Sequence, residues 1–177
     1  MFTKTWIAAA ATAATFALPA HADIVTFTGN TTAGMTYTRA LDDFSAPSAV
    51  GADVRYELYA VTVSAAGDYT FLTTGDFDTF TFLYTSFDPA SPLSGGMIAN
   101  DDLLGTGTSG FTVTLDANTQ YSFVVTGYQG TDFGFHSTTI GGIGTISAVP
   151  EPSTYLMLAM GLGAVALRRR RLVKVDH

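Results

Sequence analysis

Between residues 23 and 149 the hydrophobic positions come in short runs rich in Phe, Tyr, Val and Thr, broken by Gly, Asp, Asn, Ser or Pro. That is a rhythm of strands and turns, because strand side chains alternate between two faces with period two. The pattern predicts strands over residues 24–28, 35–39, 54–63, 69–73, 80–84, 111–115, 121–126, 133–138 and 142–146. Phe80, Phe82 and Tyr84 share one face of their strand, as do Phe111, Val113 and Leu115, and Tyr121, Phe123 and Val125, so each set is expected in a core. Ala65-Ala66-Gly67-Asp68 and Asp116-Ala117-Asn118 read as the turns of two hairpins. Residues 87–110 hold Pro and Gly without sustained periodicity, and read as a long excursion around a short strand at 97–100. About nine short strands predict an all-β domain, a two-sheet antiparallel sandwich or jelly roll.

The two ends break this rhythm. Residues 1–22 have Lys4, an apolar run from Trp6 to Leu18, and Ala20-His21-Ala22 before Asp23. Those are the three parts of a secretory signal, which predicts an N-terminal signal helix, passage through the export machinery and cleavage by signal peptidase before Asp23. Residues 149–177 run Val149-Pro150-Glu151-Pro152, then an apolar stretch over 155–167, then Arg168, Arg169, Arg170 and Arg171. Thirteen apolar residues make about 20 Å of helix, short of a hydrocarbon core of about 30 Å. The Arg cluster can snorkel to the headgroups and fixes the cytoplasmic side. The expected organisation is thus a signal peptide over 1–22, a sandwich ectodomain over 23–148, and a tail over 149–177 with a short transmembrane helix and an extended Pro-Glu-Pro spacer.

Charge sharpens this division. The chain carries -7 overall, yet residues 23–149 hold thirteen carboxylates against only Arg39 and Arg55, about -11 for that stretch. Such a surface repels phosphates, which excludes a nucleic-acid partner. There is no cysteine, so no disulfide, thiolate metal site or cysteine nucleophile is available.

Two resemblances follow from particular residues. Residues 68–84, with Ile98-Ala99-Asn100-Asp101-Asp102 and the stretch from Ala117 to Tyr128, resemble the bacterial pre-peptidase C-terminal domain, a small jelly roll of secreted and surface proteins. The tail resembles the PEP-CTERM sorting signal, also catalogued as the VPEP or ice-binding-protein C-terminal motif. It is carried here by Val149, Pro150, Glu151 and Pro152, the apolar run and the Arg cluster. That resemblance implies a Gram-negative exporter, processing by an exosortase, and delivery through an inner-membrane intermediate to the cell surface or a matrix of extracellular polysaccharide.

Candidate chemistry in the ectodomain is sparse. His136 is its sole histidine past Asp23, no lysine accompanies it, and no nucleophile-elbow sequence occurs, so an enzyme is not expected. Zinc has too few ligands. Oxygen-rich loops at Asp76, Asp78, Asn100, Asp101 and Asp102 suit calcium, which takes six to eight oxygens, and some members of the pre-peptidase C-terminal family bind calcium at such positions. The same aspartates also serve as Asx turns. Tyr37, Tyr59 and Tyr128 either stack on sugars or fill a core. The expectation is therefore a non-enzymatic surface or matrix protein. The alternatives are a calcium- or carbohydrate-binding adhesion module and, further off, a small secreted hydrolase using Asp76 and Asp78.

Overall fold

A computed structural model describes residues 22–150. The expected signal peptide with Ala20, the apolar run over 155–167 and Arg168 to Arg171 lie outside the described residues. The chain forms ten strands: β1 (Ala22–Asn30), β2 (Met35–Tyr37), β3 (Val54–Val63), β4 (Gly67–Gly75), β5 (Thr79–Tyr84), β6 (Gly96–Asn100), β7 (Thr108–Leu115), β8 (Gln120–Gly127), β9 (Phe135–Ile143) and β10 (Ile146–Pro150). Apart from one 3-10 turn at Thr31–Ala33, no helix is present among the described residues.

The strands build two antiparallel sheets, ordered β1-β9-β4-β7 and β10-β3-β8-β5-β6, with β2 also paired to β3. Four strands of each sheet, β1-β9-β4-β7 facing β3-β8-β5-β6, reproduce jelly-roll order, and β2 and β10 are additions along the edge of β3. The expected all-β, two-sheet architecture is therefore observed.

Both expected hairpins are corners instead. The turn after Val63 carries the chain from β3 in one sheet to β4 in the other, and the turn after Leu115 does the same between β7 and β8. Asn118, with φ 58°, sits in the second corner and donates its backbone N–H to Val63 O at 2.7 Å, tying the two corners together. The physical reason is that Val61 and Val63 bury themselves against Tyr69 and Phe71 across the sandwich, which a hairpin within one sheet would not allow.

A second correction concerns β9. The expected break between 138 and 142 does not occur: β9 runs through Gly141 and Gly142, which pair with Ile24 and Asp23 on one side and with Thr70 and Tyr69 on the other. Gly142 is a close approach rather than a break, because a Cβ there would collide with the ring of buried Tyr69. The turn comes later, at Gly144 with φ 77°. The chain then enters β10, which contains Val149 and Pro150 paired with Ala60 and Tyr59. The sheet thus extends into the Pro-Glu-Pro segment.

Two cores result. Tyr69, Phe71, Phe111, Leu115, Phe123 and Ile140 fill the space between the sheets. Phe80, Phe82, Tyr84, Tyr56, Val54 and Tyr37 point the other way, into a second core on the outer face of the β3-β8-β5 sheet. Two long connections lid it. Phe44, from the 38–53 connection, packs on Phe82 and Tyr84 at 5.8 and 5.4 Å between ring centroids, and Phe87 packs on Tyr37 and Tyr56, both at 5.3 Å. The opposite sheet presents hydroxyls to solvent, with cross-strand pairs Thr26–Thr139 and Thr70–Thr112, each at 2.9 Å.

Candidate functional site

The jelly-roll corners gather three connections at one end of the sandwich. The β4–β5 turn is stitched to the β6–β7 connection by Gly75 N–H to Gly107 O at 2.9 Å and Thr79 N–H to Thr106 O at 3.1 Å. It is stitched to the β8–β9 connection by Tyr128 N–H to Asp78 O at 3.0 Å. This stitching sets Asp78 beside Asp101 and Asp102, and one carboxylate oxygen from each lies within 4.8 Å of the others.

Two carboxylate oxygens of this group of residues are dehydrated without compensation. Oδ1 of Asp78 and Oδ1 of Asp101 are buried and have no hydrogen-bond partner. Desolvation, then repulsion from Asp78 and Asp102, push the Asp101 carboxyl up to about 6 against the opposing pull of Arg39. Asp78 is raised as well, first by desolvation and then by Asp132 and Asp102. Like charges converging in a half-dry site favour either a shared proton or a cation. The other two residues read from the sequence as calcium ligands have neighbours of their own. Asn100 Oδ1 accepts from Gly110 N–H at 3.0 Å, and Asp76 leans over Gly134 outside the group of three.

Beside the cluster lies Arg39, which sequence reasoning passed over. Only 2% exposed, it donates from Nε and Nη2 to Tyr128 O at 3.0 and 2.8 Å and from Nη1 to Ala40 O at 3.0 Å. Its guanidinium sits 4.3 Å from the Phe80 ring centroid and 5.0 Å from that of Tyr128. Arg39 and Asp101 both line a cleft of about 230 Å³. One signal was available: Arg39 and Arg55 are the two cations of an otherwise acidic stretch, and an isolated Arg among aromatics suits a buried clamp.

His136 sits near the start of β9, paired with Gly75 of β4, and is not one of the three converging acidic residues. Its Nε2 meets Glu57 Oε2 at 2.8 Å, and Tyr59 Oη donates to the same oxygen at 2.8 Å. Burial raises the Glu57 carboxyl, but hydrogen bonds from His136, Tyr59 and the Asn30 backbone outweigh it and leave it lowered. No serine or threonine side chain bonds to His136 among the described residues. The tyrosines weighed for sugar stacking are occupied too: Tyr37 and Tyr59 are core residues, and Tyr128 packs on Arg39.

At the C-terminal edge, β10 places Ala148 and Pro150 toward the interior and leaves Ser147 and Val149 exposed. Comparison with known families matches residues 148–171 to the PEP-CTERM protein-sorting motif. The chain carries a PEP-CTERM sorting signal. Such a signal implies sorting by an exosortase and export toward the cell surface. A search of the curated proteins finds no match. The sorting motif therefore starts inside the last strand, on the edge of a folded sheet. At the other expected processing point, Ala22 and Asp23 open β1, and the Asp23 carboxylate accepts from Ile146 N–H at 3.1 Å, so β1 also clasps the first residue of β10.

Proposed function

We propose that this chain is an exported, non-enzymatic β-sandwich protein, delivered to the envelope by its PEP-CTERM tail and left at the cell surface or in extracellular polysaccharide after exosortase processing. The match over residues 148–171 carries the reading. Residues 1–22 act as the export signal, and the apolar run over 155–167 with its Arg cluster acts as a temporary membrane stop. The His136–Glu57–Tyr59 network supports a structural role for the lone ectodomain histidine, since it engages a carboxylate and a phenol and no nucleophile. The test is fractionation of cells making the intact chain or a chain ending at Thr154, which keeps β10. The intact form is expected in the envelope or matrix, and the truncated form in the periplasm or medium. Equal distribution of the two would overturn the sorting reading.

The convergence of Asp78, Asp101 and Asp102 with two unpartnered buried oxygens favours a second reading, calcium binding by an adhesion module. A cation bound only by the folded domain raises stability by about 2.7 kcal/mol at a hundred times its Kd. Thermal melting in CaCl2 and in EDTA tests it, and coincident melting curves would sink it.

A further inference from the structure

The outer edge of β3 is shared end to end by two short strands. β10 covers Tyr59–Val63, and β2 covers Val54–Tyr56. Glu57 and Leu58 are the two β3 residues between them with no strand partner on that edge among the described residues. A groove of about 440 Å³ opens at this gap, lined by Gly29, Ala33, Met35, Leu58, Tyr59 and Pro150 among others. Pro150, the last described residue, is part of its lining.

Register decides what fits there. Each β10 residue faces one β3 residue in descending order, from Ile146 opposite Val63 to Pro150 opposite Tyr59. Carried on, that count sets Glu151 opposite Leu58 and Pro152 opposite Glu57. Ser153 would then meet Met35, which already holds the place opposite Tyr56. The gap has room for two residues, and the next two in the chain are the Glu-Pro of the sorting signature.

Proline chemistry agrees with that register. An edge strand tolerates proline where the missing N–H faces solvent. Pro150 and Pro152 have the same parity in sequence, so in a continued strand Glu151 between them would be the residue whose N–H and C=O face β3. Ile146, Ala148 and Pro150 face inward; on the same alternation Pro152 would set its ring beside Glu57 and the Glu151 carboxylate would take the opposite face.

We propose that the groove beside Glu57 and Leu58 is the seat of this chain's own Glu151–Pro152, which prolong β10 by two residues and hold the sorting signature against the sandwich. The signature then meets a processing enzyme as a fixed edge strand that must be engaged in place or peeled away. The docking rests on strand register, and its bearing on processing rests on the sorting reading above.

The test uses the full chain purified in detergent micelles. Amide exchange is read at Glu151, Ser153 and Thr154. Glu151 is expected to exchange at least about tenfold more slowly than the other two, because it alone bonds to a strand; equal rates, or a faster Glu151, would overturn the docking. A second measurement uses the absence of native cysteine. The pair Leu58→Cys with Glu151→Cys faces directly across the ladder, whereas Ala60→Cys with Glu151→Cys is diagonal, about 7–8 Å apart and poorly placed for a disulfide. The first pair is expected to close at least about tenfold faster on mild oxidation, and equal rates would refute the register. Neither readout depends on processing. A chain that is never sorted can still dock its tail, and a loose Glu151 would leave sorting intact.

Discussion

Replacing Asp101 with Asn probes the acidic end of the sandwich most directly. In the folded chain the Asp101 carboxyl is raised from 3.8 to about 6 by desolvation and by its neighbours Asp78 and Asp102. A carboxyl raised on folding penalises its own charged form. That penalty is fully present above pH 6 and disappears as pH falls below 3.8, so the contribution of this one group becomes less unfavourable on acidification through this window. At 1.36 kcal/mol per pH unit the full effect would be about 3 kcal/mol. Asp101 is partly exposed, and solvent screening reduces the figure to about 1 kcal/mol. Without divalent cation, D101N is therefore expected to be about 1 kcal/mol more stable than the native chain at pH 7.5 and equal to it at pH 3.5. Urea denaturation with EDTA at both pH values measures this, read from the midpoint at constant slope. Glu57, whose carboxyl is lowered from 4.5, contributes stability that is lost as pH falls below 4.5, and that loss is common to both proteins. A D101N variant less stable at pH 7.5 would refute the reasoning, since it would mean that the native charge is compensated by a partner.

Two further substitutions test the packing that positions this end. Arg39→Met keeps the aliphatic stem but leaves the Tyr128 and Ala40 carbonyls short of their donors, and a loss of about 2–4 kcal/mol is expected in urea midpoints; an unchanged midpoint would show that dehydration of the guanidinium cancels its bonds. Gly142→Ala drives a methyl into the ring of Tyr69, whose hydroxyl donates to Ala65 O and Ile143 O, and a loss of about 1–3 kcal/mol is expected. Gly141→Ala, where the nearest atom is Ile24 Cγ1 at 3.8 Å, is the control expected to stay near the native value, and equal losses at both positions would remove Tyr69 from the explanation.

Alternation along the chain made most strands legible, because one buried face leaves a period-two trace. It does not say which of two cores a face enters. Phe80, Phe82 and Tyr84 are buried as expected, yet they lie under Phe44 and Phe87 on the outside of their sheet, while Thr81 and Leu83 face inward. Nor does it separate a hairpin from a corner, since the turns after Val63 and Leu115 have ordinary turn composition and only the pairing of distant strands sends them across. Gly141 and Gly142 read as a break because the reason for glycine at 142, the ring of Tyr69, lies 73 residues before it in sequence. The sorting motif was legible outright, as its order of proline, apolar and basic segments is local. The acidic site was half legible: Asp78, Asp101 and Asp102 converge, while Asn100 is drawn off by the Gly110 backbone and Arg39 gave little local sign.

The lidded second core has a practical consequence for anyone who wants to tag or display this domain. A strand diagram offers the 38–53 connection as a natural place for a foreign peptide, but an insertion there would lift Phe44 from Phe82 and Tyr84 and open the hydrophobic layer beneath. The better insertion point is near Gly105, where no atom lies within 4 Å of an added Cβ and neighbouring Leu104 is 82% exposed. A fluorophore or epitope placed there would report on the protein's travel to the envelope while leaving both cores closed.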